Sequence, residues 1–229
     1  LPEMLKCGKE ITDEILQPLL QMCFDKVCIP DEHWCRADIV CLFKAGDPRD
    51  MGNYRGISLY SVMRKVYCSI LNARVSAFVE SNDVHGNPRI SNGQNGFRSG
   101  EGRSCQEHVF SLSELLRQRK KDKLNSFVFF QDFSKAFDMT DHIAMHLKLH
   151  NIGISTKMLN NIMRLYKDMK ARVRVNGDHT EEFDVKVGTA QGCVLSPTLF
   201  NIYIKDLMEE LEESGLATQT LAYADDIVI

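Results

Sequence analysis

The tightest constraint in this sequence is a pair of acidic sites at the tips of apolar segments that lie far apart in the chain. Phe127-Val128-Phe129-Phe130 is apolar at every position, the pattern of a strand covered on both faces at the centre of a sheet, and it delivers Asp132 just beyond its end. Leu221 to Tyr223 and Ile227 to Ile229 bracket Ala224-Asp225-Asp226, which predicts a tight hairpin with the acids in its turn. Neither segment carries a lysine or arginine. If the two strands are neighbours, their carboxylates repel one another unless a cation sits among them. Magnesium suits that need, because it takes one or two carboxylates and fills its remaining positions with phosphate oxygens and water. Two such ions about 3.5–4 Å apart would activate an attacking hydroxyl and steady a leaving group. Either site alone reads equally well as a polar turn or a strand terminator; their joint occurrence gives the metal reading its weight.

The other segments supply a scaffold of mixed class. Residues 11 to 27 have helical spacing, with Pro18 either kinking the helix or marking its true first turn. A strand is expected over Asp38 to Phe43, ended by Lys44-Ala45-Gly46-Asp47-Pro48. A long amphipathic helix follows over Leu59 to Val79, then a Gly, Asn and Ser-rich loop over 81 to 103. Ser104 and Glu107 form a capping box for a helix running to about Lys121. Helices are expected near 141 to 150 and 156 to 170, and a hairpin at Asn176-Gly177 between Ala171–Val175 and Glu182–Val187. Ser196-Pro197 opens a helix whose stripe is Leu199, Phe200, Tyr203, Ile204, Leu207 and Leu211, closed by Gly215.

Composition narrows the class further. An apolar content of 44% permits a sizeable core, and no run approaches the roughly 18 apolar residues of a membrane helix. The start Leu1-Pro2-Glu3-Met4 lacks the layout of a signal peptide, so an intracellular protein of nucleus and cytoplasm, without membrane partners, is expected. The eight cysteines never form a CxxC pair, which argues against zinc fingers and disulfide frameworks. The net charge of -3 is low for a nucleic-acid binder. Basic residues nevertheless gather in two runs, Arg117 to Lys123 and Arg164 to Arg174, each read first as a solvated face. His142, His146 and His150 share one helical face, where a packed or solvated surface is the simpler account than zinc.

Three runs make the chain resemble reverse transcriptases, those of non-LTR (LINE-type) retrotransposons above all. They are Phe130-Gln131-Asp132-Phe133-Ser134-Lys135-Ala136-Phe137-Asp138, the stretch from Ala190-Gln191-Gly192 to Asn201, and Tyr223-Ala224-Asp225-Asp226. Upstream, Trp34, Leu42 to Asp47, Asn53-Tyr54-Arg55-Gly56-Ile57-Ser58-Leu59 and Gln94-Asn95-Gly96-Phe97-Arg98 stand in the same order as in that family. The resemblance implies an α+β fold, the fingers and palm of a right-hand polymerase, with a mostly antiparallel palm sheet packed on helices and the thumb missing. Residues 1–125 would form the fingers and the start of the palm, and 126–229 the palm, cut off after the Tyr-Ala-Asp-Asp hairpin.

The implied activity is RNA-directed DNA polymerisation on an RNA template and DNA primer with deoxynucleoside triphosphates. Asp132, Asp225 and Asp226 would be catalytic, binding two Mg2+ ions, replaceable by Mn2+, together with the carbonyl of Phe133. Phe137 would be the steric gate against a ribose 2'-hydroxyl. Gln191 and Gly192 would shape the nucleotide pocket, Arg55 and Lys44 would grip the triphosphate, and Arg98 would face the template backbone. The family usually has proline where Ala190 and Gly56 stand here, which loosens the local backbone without removing a ligand. A catalytically silent fragment that only binds RNA or a partner protein is the alternative. An RNA-dependent RNA polymerase is a third reading, opposed by Phe137 and by Tyr-Ala-Asp-Asp in place of Gly-Asp-Asp.

Overall fold

Turn and cap residues set most of the element boundaries. The computed structural model describes residues 8, 12–29, 34–215 and 219–229. In chain order these give α1 (Gln17–Lys26), β1 (Arg36–Phe43), β2 (Tyr54–Leu59), α2 (Val62–Glu80), α3 (Cys105–Lys121), β3 (Phe130–Gln131), α4 (His142–Asn151) and α5 (Thr156–Tyr166). The remainder is β4 (Lys170–Val175), β5 (Asp178–His179), β6 (Phe183–Asp184), α6 (Ser196–Tyr203), α7 (Lys205–Glu213), β7 (Leu221–Tyr223) and β8 (Asp226–Val228). Pro18 lies in the first turn of α1, where its missing N–H is not needed. Ser104 and Glu107 make the reciprocal capping box at the start of α3. The Asp141 carboxylate accepts the Ala144 amide at 2.7 Å to open α4.

The architecture is α+β, the class expected for a polymerase fingers and palm, with two sheets among the described residues. Chain contacts divide it into two compact units, one of residues 1–74 and 137–196, the other of 75–136 and 197–229. The first unit holds the larger sheet, in the order β2-β1-β4-β5 with β6 also on β4. Only β1 and β4 run parallel; the other pairs are antiparallel. Arg174 opposes His179 and Val175 opposes Asp178, so Asn176-Gly177 forms the hairpin that its sequence predicts. Helices α1, α2 and α5 are tied by polar groups inside this core. The buried Asn161 donates to the Phe24 carbonyl at 3.0 Å and accepts the Tyr67 hydroxyl. Arg64, 1% exposed, donates to the carbonyls of Trp34 and Leu165 and lies 4.0 Å above the Tyr60 ring.

The second unit holds a three-stranded antiparallel sheet in the order β3-β8-β7. Met208, Ala222 and Ile227 form its buried centre, with Phe133, Leu207, Leu211 and Ile229 packed around them.

Three expectations need correction here. The apolar run ending at Phe130 is an edge strand and not a central one. Strand β3 pairs only with β8 among the described residues, and Phe127, Phe129 and Phe130 are 93%, 57% and 69% exposed. The helix expected from Ser196 to Gly215 is broken at Ile204, whose backbone opens to φ -91°, ψ 2°, and this re-aims α7 so that Met208 enters the core. The helix expected to reach 170 stops at Tyr166, because Asp168 adopts φ 57° and redirects the chain into β4.

Replacing Arg64 with methionine would keep much of its apolar stem and strip two buried carbonyls of their donor. Gln, Ala or Met at this position should show the same direction, and for Arg64→Met we expect a loss of roughly 3 kcal/mol in urea unfolding with an unchanged m-value.

Candidate active site

Strand register brings the acidic residues to one end of one sheet. Phe130 pairs with Val228 and Gln131 with Ile227. The next residues along the two strands, Asp132 and Asp226, therefore stand level just at the end of the ladder. On the other side of β8, Tyr223 pairs with Asp226, which leaves Ala224 and Asp225 as the two turn residues. Asp226 is thus the first residue of β8, one position beyond the turn in which the sequence reading put it. Asp132 and Asp226 are exposed, Asp225 is half-buried, and Phe133 packs into the core beneath them. Among the described residues, no lysine or arginine pairs with the Asp132 or Asp226 carboxylate.

Among the described residues, no three His, Cys, Asp or Glu side chains are gathered into a ready-made cage. Magnesium takes one or two carboxylates and leaves its other positions to substrate phosphates and water. The carboxylates of Asp132, Asp225 and Asp226 fit such a site as a donor set; a closed ligand shell of three carboxylates is not what they form.

The hairpin turn is held from the loop before α3. Ala224 has φ 59°, a left-handed conformation that costs a residue with a Cβ roughly 1–2 kcal/mol. Residues 93 to 95 lie against β7 as a short parallel bridge. The Asn95 amide donates to the Ala222 carbonyl and the Ala222 amide to the Gly93 carbonyl, each at 2.8 Å. A Cβ on Gly96 would lie 2.2 Å from the Ala224 nitrogen, so only glycine lets the loop approach this closely. The buried Asn201 of α6 donates to the Gly96 carbonyl at 2.7 Å. The Phe97 ring lies tilted against that of Tyr223, with centroids 6.0 Å apart.

Arg98, expected to face a template, is turned into the protein instead. Its Nε and Nη2 donate to the two Glu80 oxygens at 2.9 and 2.8 Å, and its Nη1 to the carbonyls of Ser91 and Gln94 at 2.7 and 2.9 Å. With its side chain 5% exposed, it braces the loop.

The first unit carries the residues expected to meet the nucleotide. Lys44 donates its amide to the Asn53 carbonyl just past β1, and Leu42 opposes Arg55, so Lys44 and Arg55 share one face of the β1–β2 hairpin; both are exposed. At the free edge of β2 the Ser58 amide donates to the Gln191 carbonyl at 2.8 Å. Gly192 follows with φ 106°, and a Cβ there would come within 2.9 Å of the Ser58 carbonyl. Close packing on β2 thus explains this glycine without a ligand. The Gln191 amide donates to Asp138 at 2.7 Å. Phe137 is half-buried, and its carbonyl accepts the Thr189 amide at 2.7 Å. His142 sits against the Gly188 carbonyl and the Tyr166 ring.

Residues 43–229 match the family described as reverse transcriptase (RNA-dependent DNA polymerase). The chain belongs to the reverse transcriptase family. It is 26% identical to the Pol polyprotein of the type-1 retrotransposable element R2 of Popillia japonica, over 86% of this chain and 27% of that protein. It is 29% identical to the probable RNA-directed DNA polymerase of transposon BS of Drosophila melanogaster, over 86% of this chain and 21% of that protein. Such elements are non-LTR retrotransposons, the branch to which the motifs point, and the chain spans about a quarter or less of these relatives. Its fold is also that of apo telomerase from Candida tropicalis, with a TM-score of 0.57 at 16% identity over 87% of this chain and 44% of that one. Reverse transcriptases work with divalent metal ions and an RNA template. No helix among the described residues is long and apolar enough to cross a membrane.

Of the reverse transcriptase motif residues, Gln94 and Asn201 carry no evident role in the sequence alone. Hydrogen bonding from their side chains to main chain is what the sequence did not reveal. Hydrogen bonds from Arg98 hold the Glu80 carboxyl below its ordinary range, against burial, which pushes it up. Its folded value is the lower one, so the pair stabilises above the unfolded carboxylate range and that contribution is lost as pH falls through the folded value. Glu80→Gln should therefore flatten the acid limb of the stability curve, measured by thermal unfolding between neutral and acidic pH.

Proposed function

We propose that this chain is the nucleotide-adding portion of an RNA-directed DNA polymerase, extending a DNA primer 3'-hydroxyl with deoxynucleotides along an RNA template. The observation that carries this reading is the β3–β8 register, which sets Asp132 level with Asp226 and next to the turn that holds Asp225. In this reading residues 1–125 serve as fingers and the start of the palm and 126–229 as palm, in a protein of nucleus and cytoplasm.

Asp132, Asp225 and Asp226, with the carbonyl of Phe133, would hold two Mg2+ ions, Mn2+ serving as a substitute. Bound there, the ions lower the pKa of the primer hydroxyl and offset charge on the departing pyrophosphate. The protein contributes position and preorganised charge. The exposed Arg55 and Lys44, which share a hairpin face, suit triphosphate oxygens, the guanidinium offering forked donors. Gln191 and Gly192 shape the floor of the nucleotide pocket from the edge of β2, and Phe137 rejects a 2'-hydroxyl. Template choice comes from base pairing. Arg98, whose donors are taken by Glu80 and by loop carbonyls, supports the loop and is left out of template contact.

Primer extension on an RNA template with Mg2+ tests the reading. Wild-type chain is expected to extend the primer, and Asp225→Asn to lose at least about 100-fold in rate. A folded wild-type chain that binds RNA and adds nothing would instead mark a silent binding fragment. Phe137→Ala should raise ribonucleotide relative to deoxynucleotide incorporation by about tenfold or more, read from paired kcat/KM values. A wild-type chain that already prefers ribonucleotides points to an RNA-dependent RNA polymerase.

A further inference from the structure

Gln94 is fully buried, and its side-chain amide is spent entirely on main chain. Its Nε2 donates to the Ala224 carbonyl at 3.0 Å, and its Oε1 accepts the amides of Ala224 and Gly96, each at 2.8 Å. A carboxamide offers the same donor and acceptor pair as a peptide group, so Gln94 matches both polar groups of Ala224 as a neighbouring strand would. Attachment of the loop does not require this. The bonds of Asn95 and Gly93 to Ala222 already dock it on β7. Two of its three bonds fall on one residue, the one at φ 59° immediately before Asp225. The dihedrals of Ala224 set the direction in which the chain leaves for Asp225 and Asp226. Asn201, through the Gly96 carbonyl, fixes the loop from the side of α6.

We propose that Gln94 is a positioning residue of the polymerase reaction, holding Ala224 in its left-handed conformation and so presenting Asp225 and Asp226 to divalent ions. The inference rests on the polymerase reading above. It assigns Gln94 no contact with substrate.

The test uses the 229-residue chain in three forms, wild type, Gln94→Met and Gln94→Glu. Methionine keeps the length and apolar contacts and drops all three hydrogen bonds. Glutamate keeps the acceptor and turns an oxygen toward the Ala224 carbonyl. Thermal unfolding, Mn2+ binding by water-proton relaxation, and primer-extension kcat and deoxynucleotide KM are measured at a temperature where each form is folded. For Gln94→Met the expected result is a loss of roughly 10- to 100-fold in both Mn2+ affinity and kcat. Its KM should stay within about threefold of wild type. Gln94→Glu should move in the same direction, and decides the matter if Gln94→Met does not fold.

A variant with a lowered melting temperature but wild-type Mn2+ affinity and kcat overturns the proposal, since Gln94 would then be an ordinary core amide. A wild-type chain that extends no primer, yet loses Mn2+ affinity on Gln94→Met, overturns the polymerase reading and supports the clamp. A wild-type chain that extends primers and is matched in Mn2+ affinity by both variants overturns the clamp and leaves the polymerase reading standing.

Discussion

A short antiparallel ladder carries the acidic site. Phe129 and Ile229 exchange two main-chain hydrogen bonds of 2.9 Å, and the pairs Phe130–Val228 and Gln131–Ile227 follow. Strand periodicity then leaves no freedom about what comes next, because a slip of one residue would move Asp132 off the level of Asp226 and turn its side chain to the other face. Packing of Phe133 and Ile227 on one core around Met208 favours that register, since a one-residue slip would turn Phe133 away from it. The chemistry at the sheet end is therefore set by apolar packing a few residues away.

Much of this was legible in the sequence. Apolar runs, Asn176-Gly177, Ser104 with Glu107, and Pro18 marked elements through local chemistry that needs no partner. Carboxylates at strand tips, together with family motifs, suggest that Asp132 lies near the acidic hairpin, and β3 does pair with β8, the strand that begins at Asp226. What failed were inferences about neighbours. An all-apolar run such as Phe127 to Phe130 signals burial only if something lies on both sides, and the sequence does not say what does. In sequence Arg98 looks like an outward cation because its partner Glu80 lies in a different element, invisible to local pattern. Gln94 and Asn201 escaped for the same reason, since a polar side chain satisfied by distant main chain has no pattern of its own.

Glycines show how one residue type can answer two questions. Gly96 and Gly192 both stand in motifs of the family, and the resemblance gives Gly192 a nucleotide to approach. The close neighbours are instead protein backbone, the Ala224 nitrogen for Gly96 and the Ser58 carbonyl for Gly192. Chain-on-chain packing is a sufficient physical reason for both. A pocket role for Gly192 is additional to that packing.

The small sheet is asymmetric at its two borders. On the β7 side, Gly93 to Asn95 occupy the outward amide and carbonyl of Ala222 and seal that border with the chain's own loop. On the β3 side the described residues provide no such seal, and aromatic rings stand in water beside it. At high concentration the isolated chain should self-associate through the phenylalanine border, and a charged substitution at Phe127, remote from the carboxylates in register, is the natural way to keep it monodisperse.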